Sequence, residues 1–188
     1  MIRYALLSLA LLLGINADGQ VVIGVEETGA GSRERVLAVA RSLIGTQERT
    51  GNNDGPAIDR ILASVGLEGT GAPYCAAFMR YCYDRAGLRL VGPRSALAAV
   101  WVRDPSWTLA RGGAMPRPGD AWGIYFPSKG RVAHTGMVEQ WGNKVVTTIE
   151  ANTSPEAVAG SAADRNGDGV WRKKRLKNQL FSARDWLD

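Results

Sequence analysis

Cys75 and His134 are the two residues of this 188-residue chain best suited to covalent chemistry, and His134 is its only histidine. Cys75 ends the glycine-proline stretch Gly71-Ala72-Pro73-Tyr74 and begins the apolar run Ala76-Ala77-Phe78-Met79. A cysteine at the first turn of a helix sits at the positive end of the macrodipole, where a thiol ionises most easily, and the position predicts an exposed sulfur. Acyl transfer by cysteine needs a thiolate, a base, an orienter for that base and an oxyanion site. Cys75 is the candidate nucleophile, and His134 alone can supply the imidazole. Glu150-Ala151-Asn152 follows a strand pattern, so Glu150 and Asn152 share one face. Either could accept the imidazole N–H. Tyr74, beside the nucleophile, is a candidate substrate-binding residue.

The elements that must position these residues are helices first and strands afterwards. Ser32 is the expected N-cap of a helix with Val36, Val39, Ala40, Leu43 and Ile44 on one face, ended by Gly45. Asp54 is the expected cap of a second helix, with Pro56 in its first turn and Ile58, Ile61, Leu62 and Val65 at helical spacing. A third helix should run from Cys75 to Arg85 and stop at Gly87. Residues 95–102 suggest a fourth. After the turn Pro116-Arg117-Pro118-Gly119-Asp120, residues 121–126 read as a strand. Residues 135–141 and 144–149 read as a hairpin across Gly142-Asn143, and 169–175 as a further strand. This order indicates an α+β domain with N-terminal helices packed on a small antiparallel sheet.

The hairpin carries a register condition. A two-residue loop at Gly142-Asn143 would set His134 opposite Ala151 and turn Glu150 and Asn152 to the other face. The site therefore requires an offset of one residue, from a three-residue loop or a bulge.

Residues 1–19 read as a secretory signal peptide, with Arg3 before an apolar stretch from Ala5 to Ile15. That stretch is shorter than the ~20 residues a bilayer requires, and Ala17-Asp18-Gly19 would precede cleavage at Gln20. Residues 20–31 read as a flexible lead and 32–188 as one domain. The protein is thus expected to be secreted or in the periplasm and cell envelope, with no membrane segment after signal removal, and monomeric. Its net charge of +5 suits an anionic surface such as a cell wall. The basic residues are too scattered for nucleic acid, and the one dense run, Arg172-Lys173-Lys174-Arg175, reads as a solvated strand or rim.

Cys75 and Cys82 fall two turns apart in one helical pattern. At ~1.5 Å per residue their Cα atoms stand roughly 10 Å apart, beyond the about 7 Å a disulfide spans. Both should stay reduced, with Cys82 a buried apolar side chain. Asp164-Arg165-Asn166-Gly167-Asp168-Gly169 copies the start of a calcium loop, but Arg175 stands where the closing glutamate belongs. It reads as a glycine-rich turn, and no metal or cofactor is expected. Among the six tryptophans, Trp122 and Trp141 should pack the core. Asn52 and Asn53 could touch substrate.

Pro73-Tyr74-Cys75-Ala76-Ala77-Phe78 is similar to the proline-aromatic-Cys-Ala-x-Phe motif of CHAP domains (cysteine, histidine-dependent amidohydrolases/peptidases), members of the papain-like NlpC/P60 superfamily. His134-Thr135-Gly136-Met137-Val138 resembles their His-x-Gly-x-Val block, Thr148-Ile149-Glu150-Ala151-Asn152 their Ile-Glu-x-Asn block, and Pro118-Gly119-Asp120 the turn before their first core strand. The resemblance spans residues 32–175. It implies a papain-like fold and a peptidoglycan hydrolase, either an N-acetylmuramoyl-L-alanine amidase or an endopeptidase. In it Cys75 is the nucleophile, His134 the base, Glu150 its orienter and Asn152 an assistant. Transpeptidation or protein processing at the same site, and a non-catalytic wall-binding module, are the competing expectations.

Overall fold

The computed structural model describes residues 10–15, 21–26, 29–89, 91–103, 115–156 and 161–187. Strand β1 (Ala10–Ile15) pairs antiparallel with β2 (Val21–Glu26). The cleavage site expected at Ala17-Asp18-Gly19 lies outside the described residues. Helix α1 (Gly29–Ser42) begins three residues before the expected cap. Ser32 is inside it, where its hydroxyl accepts from the Arg35 guanidinium. Thus β2 and the first turn of α1 occupy much of the stretch read as a flexible lead. Helix growth is cooperative, and once Val36, Leu37 and Ala40 are packed, extending through Gly29-Ala30-Gly31 costs only about 1 kcal/mol per glycine.

Helix α2 (Pro56–Ala63) buries Ile58, Ile61 and Leu62. Its N-cap is Gly55, at φ 112° and without a side-chain cap. Asp54 does not cap it. That carboxylate instead accepts from the Thr50 N–H (2.9 Å) and the Thr50 hydroxyl (3.0 Å), closing its own turn. Helix α3 (Cys75–Arg85) has the expected bounds and is buried nearly all round, from Cys75 to Met79 and at Cys82 and Tyr83. Its buried Arg80 donates to the Leu88 and Val91 carbonyls beyond the helix end and pairs with Asp84. Helix α4 (Ala98–Trp101) is a single turn.

Five strands then form one antiparallel sheet. They are β3 (Ala121–Phe126), β4 (Arg131–Trp141), β5 (Val145–Thr153), β6 (Gly169–Leu176) and β7 (Ser182–Arg184), in the spatial order β6-β5-β4-β3-β7. A short helix α5 (Ala162–Arg165) precedes β6. The edge strand β7 has only three residues, too few to show alternation in sequence. On one face, Ala121, Met137, Ile149, Ala151 and Val170 pack against α1 to α4. On the other, Trp122, Ile124, Phe126, Val138 and Val146 pack with Leu180 and Ala183, and Trp141 leans on this cluster. The architecture is the α+β arrangement expected for a papain-like fold.

The turn Pro118-Gly119-Asp120 ties the layers together. Arg33 of α1 donates to Asp120 (2.7 Å), the Pro118 carbonyl (2.9 Å) and Asp185 (2.6 Å), while the Tyr83 hydroxyl donates to the Gly119 carbonyl. At Gly136 the sheet has no room for a side chain. A Cβ there would lie 2.9 Å from Trp122 Cζ2 and from the Ile149 oxygen, and 3.0 Å from Glu150 Cγ. Gly136→Ala should therefore overpack this point and lower stability by about 1–3 kcal/mol, measurable by urea unfolding.

Candidate active site

The loop that leads into Cys75 is fastened before α3 begins. Pro73 keeps the preceding residue out of the helical region, and the Tyr74 N–H donates to Asn152 Oδ1 at 3.2 Å. Asn53 Nδ2 donates to the Gly71 carbonyl (2.9 Å), and the Tyr74 hydroxyl donates to Glu48 Oε1 (3.0 Å). Cys75 is the first residue of α3. Contrary to the exposed sulfur expected, it is buried, 3% exposed, because α3 drives its first turn against β4 and β5. Burial pushes the thiol pKa up. Hydrogen bonding and charge attraction with His134, together with the backbone N–H groups of Thr135 and Ala76, outweigh it and leave the pKa below its ordinary value. Cys82 has burial without such compensation, and its pKa rises well above the ordinary value. Both cysteines are free thiols.

His134 lies on β4, wholly buried. Its Nε2 meets Glu150 Oε2 at 3.0 Å. Nδ1 makes no complete hydrogen bond, so it is the ring nitrogen open to the Cys75 proton. Burial disfavours the imidazolium, but the interactions with Cys75 and Glu150 prevail and raise the His134 pKa to about 9. Trp122 walls the ring, edge-on at 5.7 Å between centroids.

Of Glu150 and Asn152 on β5, Glu150 is the one in contact with the His134 ring. Burial alone would make its carboxyl neutral. Hydrogen bonds and charge from Arg175, and then from His134, bring its pKa down to about 2. Arg175 Nε donates to Oε1 (2.8 Å) and Nη2 to Oε2, and the Thr148 hydroxyl adds a short bond to Oε1. The other side of the guanidinium grips Asp164, with Nη1 at 3.0 Å from Oδ2. Lys173 Nζ reaches Asp164 Oδ1 (3.1 Å) and the Ser154 carbonyl (2.8 Å). The basic run is therefore not a solvated rim. Lys173 and Arg175 point inward on β6 and are buried, while Arg172 points outward to Glu139. Arg175 is the contact of Glu150 that the sequence does not announce. The alternation of β6 was the available signal, masked by four consecutive cations.

The register condition of the hairpin is met through a bulge. Trp141 pairs with Val146 and Gln140 with Thr147, whereas Val138 pairs with Thr148 and Met137 with Ile149. Glu139 is the extra residue. It is held from both sides by Arg41 (2.8 Å) and by a two-pronged bond from Arg172. The turn is also longer than two residues, with Gly142 N–H donating to the Val145 carbonyl. Their net effect is the one-residue offset that puts Glu150 beside Gly136, on the same face as His134. A second bulge lies on the β3 side. Ile124 pairs with His134 and Tyr125 with Val132, leaving Ala133 unpaired. Bulges re-aim the neighbouring side chain, and here the neighbour is His134.

Two expected site residues have other places. Asn152 is not a partner of His134. It sits at a bulge of β5 with φ 59°, and its amide binds the Tyr74 N–H, Asn53 Oδ1 (2.7 Å) and the Gly167 carbonyl (3.3 Å). The left-handed backbone takes it out of the alternation that links Glu150 to His134, so it fastens the loop before Cys75 instead. Tyr74 is fully buried. Its ring and hydroxyl are used up in holding the loop, which leaves no surface for substrate. Asn53 lines a polar cavity of about 200 Å³ with Glu48, Asn166 and Asp168. Asp164, the first residue of the calcium-like stretch, is committed to Arg175 and Lys173.

The CHAP domain family model matches residues 67–152, a span that includes Cys75, His134, Glu150 and Asn152. No curated protein matches the chain.

Two outcomes are expected. Asn152→Ala should destabilise the protein by about 2–4 kcal/mol, through an orphaned buried N–H and a strained backbone. It should leave the NMR titration of the single imidazole unchanged, since Asn152 does not touch it. Glu150 is shifted down, from 4.5 to about 2, so its contribution to stability is complete above pH 4.5 and is lost as pH falls through about 2. Glu150→Gln should remove that part of the acid-unfolding curve, followed by tryptophan fluorescence.

The Cys75 turn, the His134 strand and the Glu150 strand are thus brought together within one segment, residues 67–152, that is similar to the CHAP domain family.

Proposed function

We propose that this protein is an exported peptidoglycan hydrolase that cleaves an amide bond of the wall peptide through Cys75, His134 and Glu150. The observation that carries this reading is a buried line of Cys75 at the start of α3, His134 and Glu150, with Nε2 bound to Glu150 at 3.0 Å and Nδ1 left over, which lowers the thiol pKa and raises that of the imidazole. In cysteine hydrolases that electrostatic signature marks a nucleophile already poised as thiolate beside imidazolium. CHAP domains are typically hydrolases, and the family suggests peptidoglycan as the substrate.

The steps follow from the geometry. Cys75 Sγ attacks the amide carbonyl, with its proton on His134 Nδ1. The tetrahedral oxyanion is stabilised by N–H groups at the start of α3, where the first turn lacks intrahelical acceptors. His134 returns the proton to the leaving amine, which departs as the C–N bond breaks. Water, deprotonated by the same imidazole, then splits the thioester and frees Cys75. Glu150 stays ionised throughout and keeps Nε2–H directed at itself, so Nδ1 alone exchanges protons. Export rests on the apolar start of the chain and Ala17-Asp18-Gly19. The positive charge of the protein favours an anionic wall.

Cys75→Ala should abolish release of amine groups from purified peptidoglycan while circular dichroism stays native. Unchanged lysis would refute the reading. Products cut by transfer to an amine rather than to water would appear in mass spectra as joined fragments. The pH dependence has a definite sign. Alkylation of Cys75 should persist well below the ~8.5 of a free thiol, and hydrolysis should decline as pH rises through about 9, where His134 loses its proton. His134→Ala should push alkylation back to the ordinary thiol range.

A further inference from the structure

We propose that Arg175 is a positioning residue of the reaction centre, acting through Glu150: its guanidinium fork holds both carboxylate oxygens and so fixes the acceptor that orients His134. This rests on the proposed Cys75–His134 hydrolase. Arg175 lies on β6, outside the matched segment 67–152.

The geometry is specific to arginine. Nε and Nη2 engage the two oxygens of Glu150, while Nη1 and Nη2 engage Asp164. A flat guanidinium serves two carboxylates along two edges, which the point charge of a lysine cannot do. The guanidinium also lies over the Trp122 ring at 5.6 Å, and the same ring walls His134. Arg175 is thus held on three sides, by Glu150, Trp122 and Asp164. Asp164 in turn is held by Lys173 of β6. The charged and titratable groups facing Glu150 are His134 from β4 and Arg175 from β6, with Cys75 of α3 beyond His134.

Without Arg175, Glu150 would be a desolvated carboxylate with Thr148 and His134 as its remaining partners. Burial favours the neutral acid in such a site. A protonated Glu150 cannot hold an imidazolium in place. Loss of Arg175 should therefore raise the pH at which Glu150 protonates and move the acid limb of thiolate formation upward.

The test uses the full chain with five variants and two readouts, hydrolysis kinetics and the pH profile of Cys75 alkylation. Arg175→Lys keeps the charge and loses the fork. It should lower kcat by about 10- to 100-fold, the worth of one or two charge-assisted hydrogen bonds, with KM within about twofold, and shift the acid limb of alkylation to higher pH. Made in a Glu150→Gln background, Arg175→Lys should have no further effect on alkylation. Wild-type kcat and profile in Arg175→Lys, or an equal loss in the Glu150→Gln background, would overturn the proposal. Should Arg175→Lys not fold, Glu150→Gln/Arg175→Met removes anion and cation together. Alkylation equal to that of Glu150→Gln alone supports action through Glu150, and slower alkylation overturns it. Hydrolysis surviving in Cys75→Ala would refute the hydrolase reading separately, while the alkylation profiles still decide the role of Arg175.

Discussion

An ionised carboxylate in a dry interior is the constraint on which this site depends. Glu150 is fully buried, and a lone carboxylate there would take up a proton rather than remain charged. Three donors prevent this: the guanidinium of Arg175, the Thr148 hydroxyl and the imidazole of His134. The charges alternate beyond it, through Arg175 to Asp164 and Lys173. With Glu150 and Asp164 balanced by Arg175 and Lys173, moving a proton from Cys75 to His134 adds no net charge to the interior. That balance makes a thiolate–imidazolium pair compatible with burial.

Holding these groups in line is the work of irregularities in one strand. A regular β4 would pair with β5 and β3 in strict alternation, and His134 would face away from Glu150. Glu139 on one edge and Ala133 on the other each insert a residue. Glu139 is secured by Arg41 of α1 and Arg172 of β6, so the helical layer and the far side of the sheet together fix the bulge. Gly136 lies between the bulges, where the absence of a side chain lets Trp122 and Glu150 approach. The Cys75 side is fixed in the same spirit by Asn152, whose strained backbone turns an amide toward the Tyr74 N–H.

Much of the scaffold was legible in the sequence because it follows local rules. The bounds of α3 and β3, the hairpin between 135 and 149 and the strand from Gly169 follow from periodicity and turn residues, which report short-range sterics. The helices do not start at the caps expected at Ser32 and Asp54, for a related reason. A good capping side chain marks where a helix can start, whereas packing of Leu37 and Ala40, or a closer partner such as Thr50, decides where it does. Tyr74 and Asn152 lie elsewhere than expected because proximity in sequence to Cys75 or Glu150 does not say which way a side chain turns.

The sequence by itself determined the inventory: one histidine, a cysteine at a helix start, an acidic residue at the end of a hairpin strand, and the need for a one-residue offset between them. Tertiary structure decided what the inventory could not. It chose Glu150 over Asn152, buried the thiol, and recruited Arg175 and Asp164 from β6 and α5. The physical reason is that a pKa depends on desolvation and on charges within a few ångströms. Those neighbours are set by strand register and layer packing, across separations such as the 25 residues between Glu150 and Arg175, over which no local pattern extends.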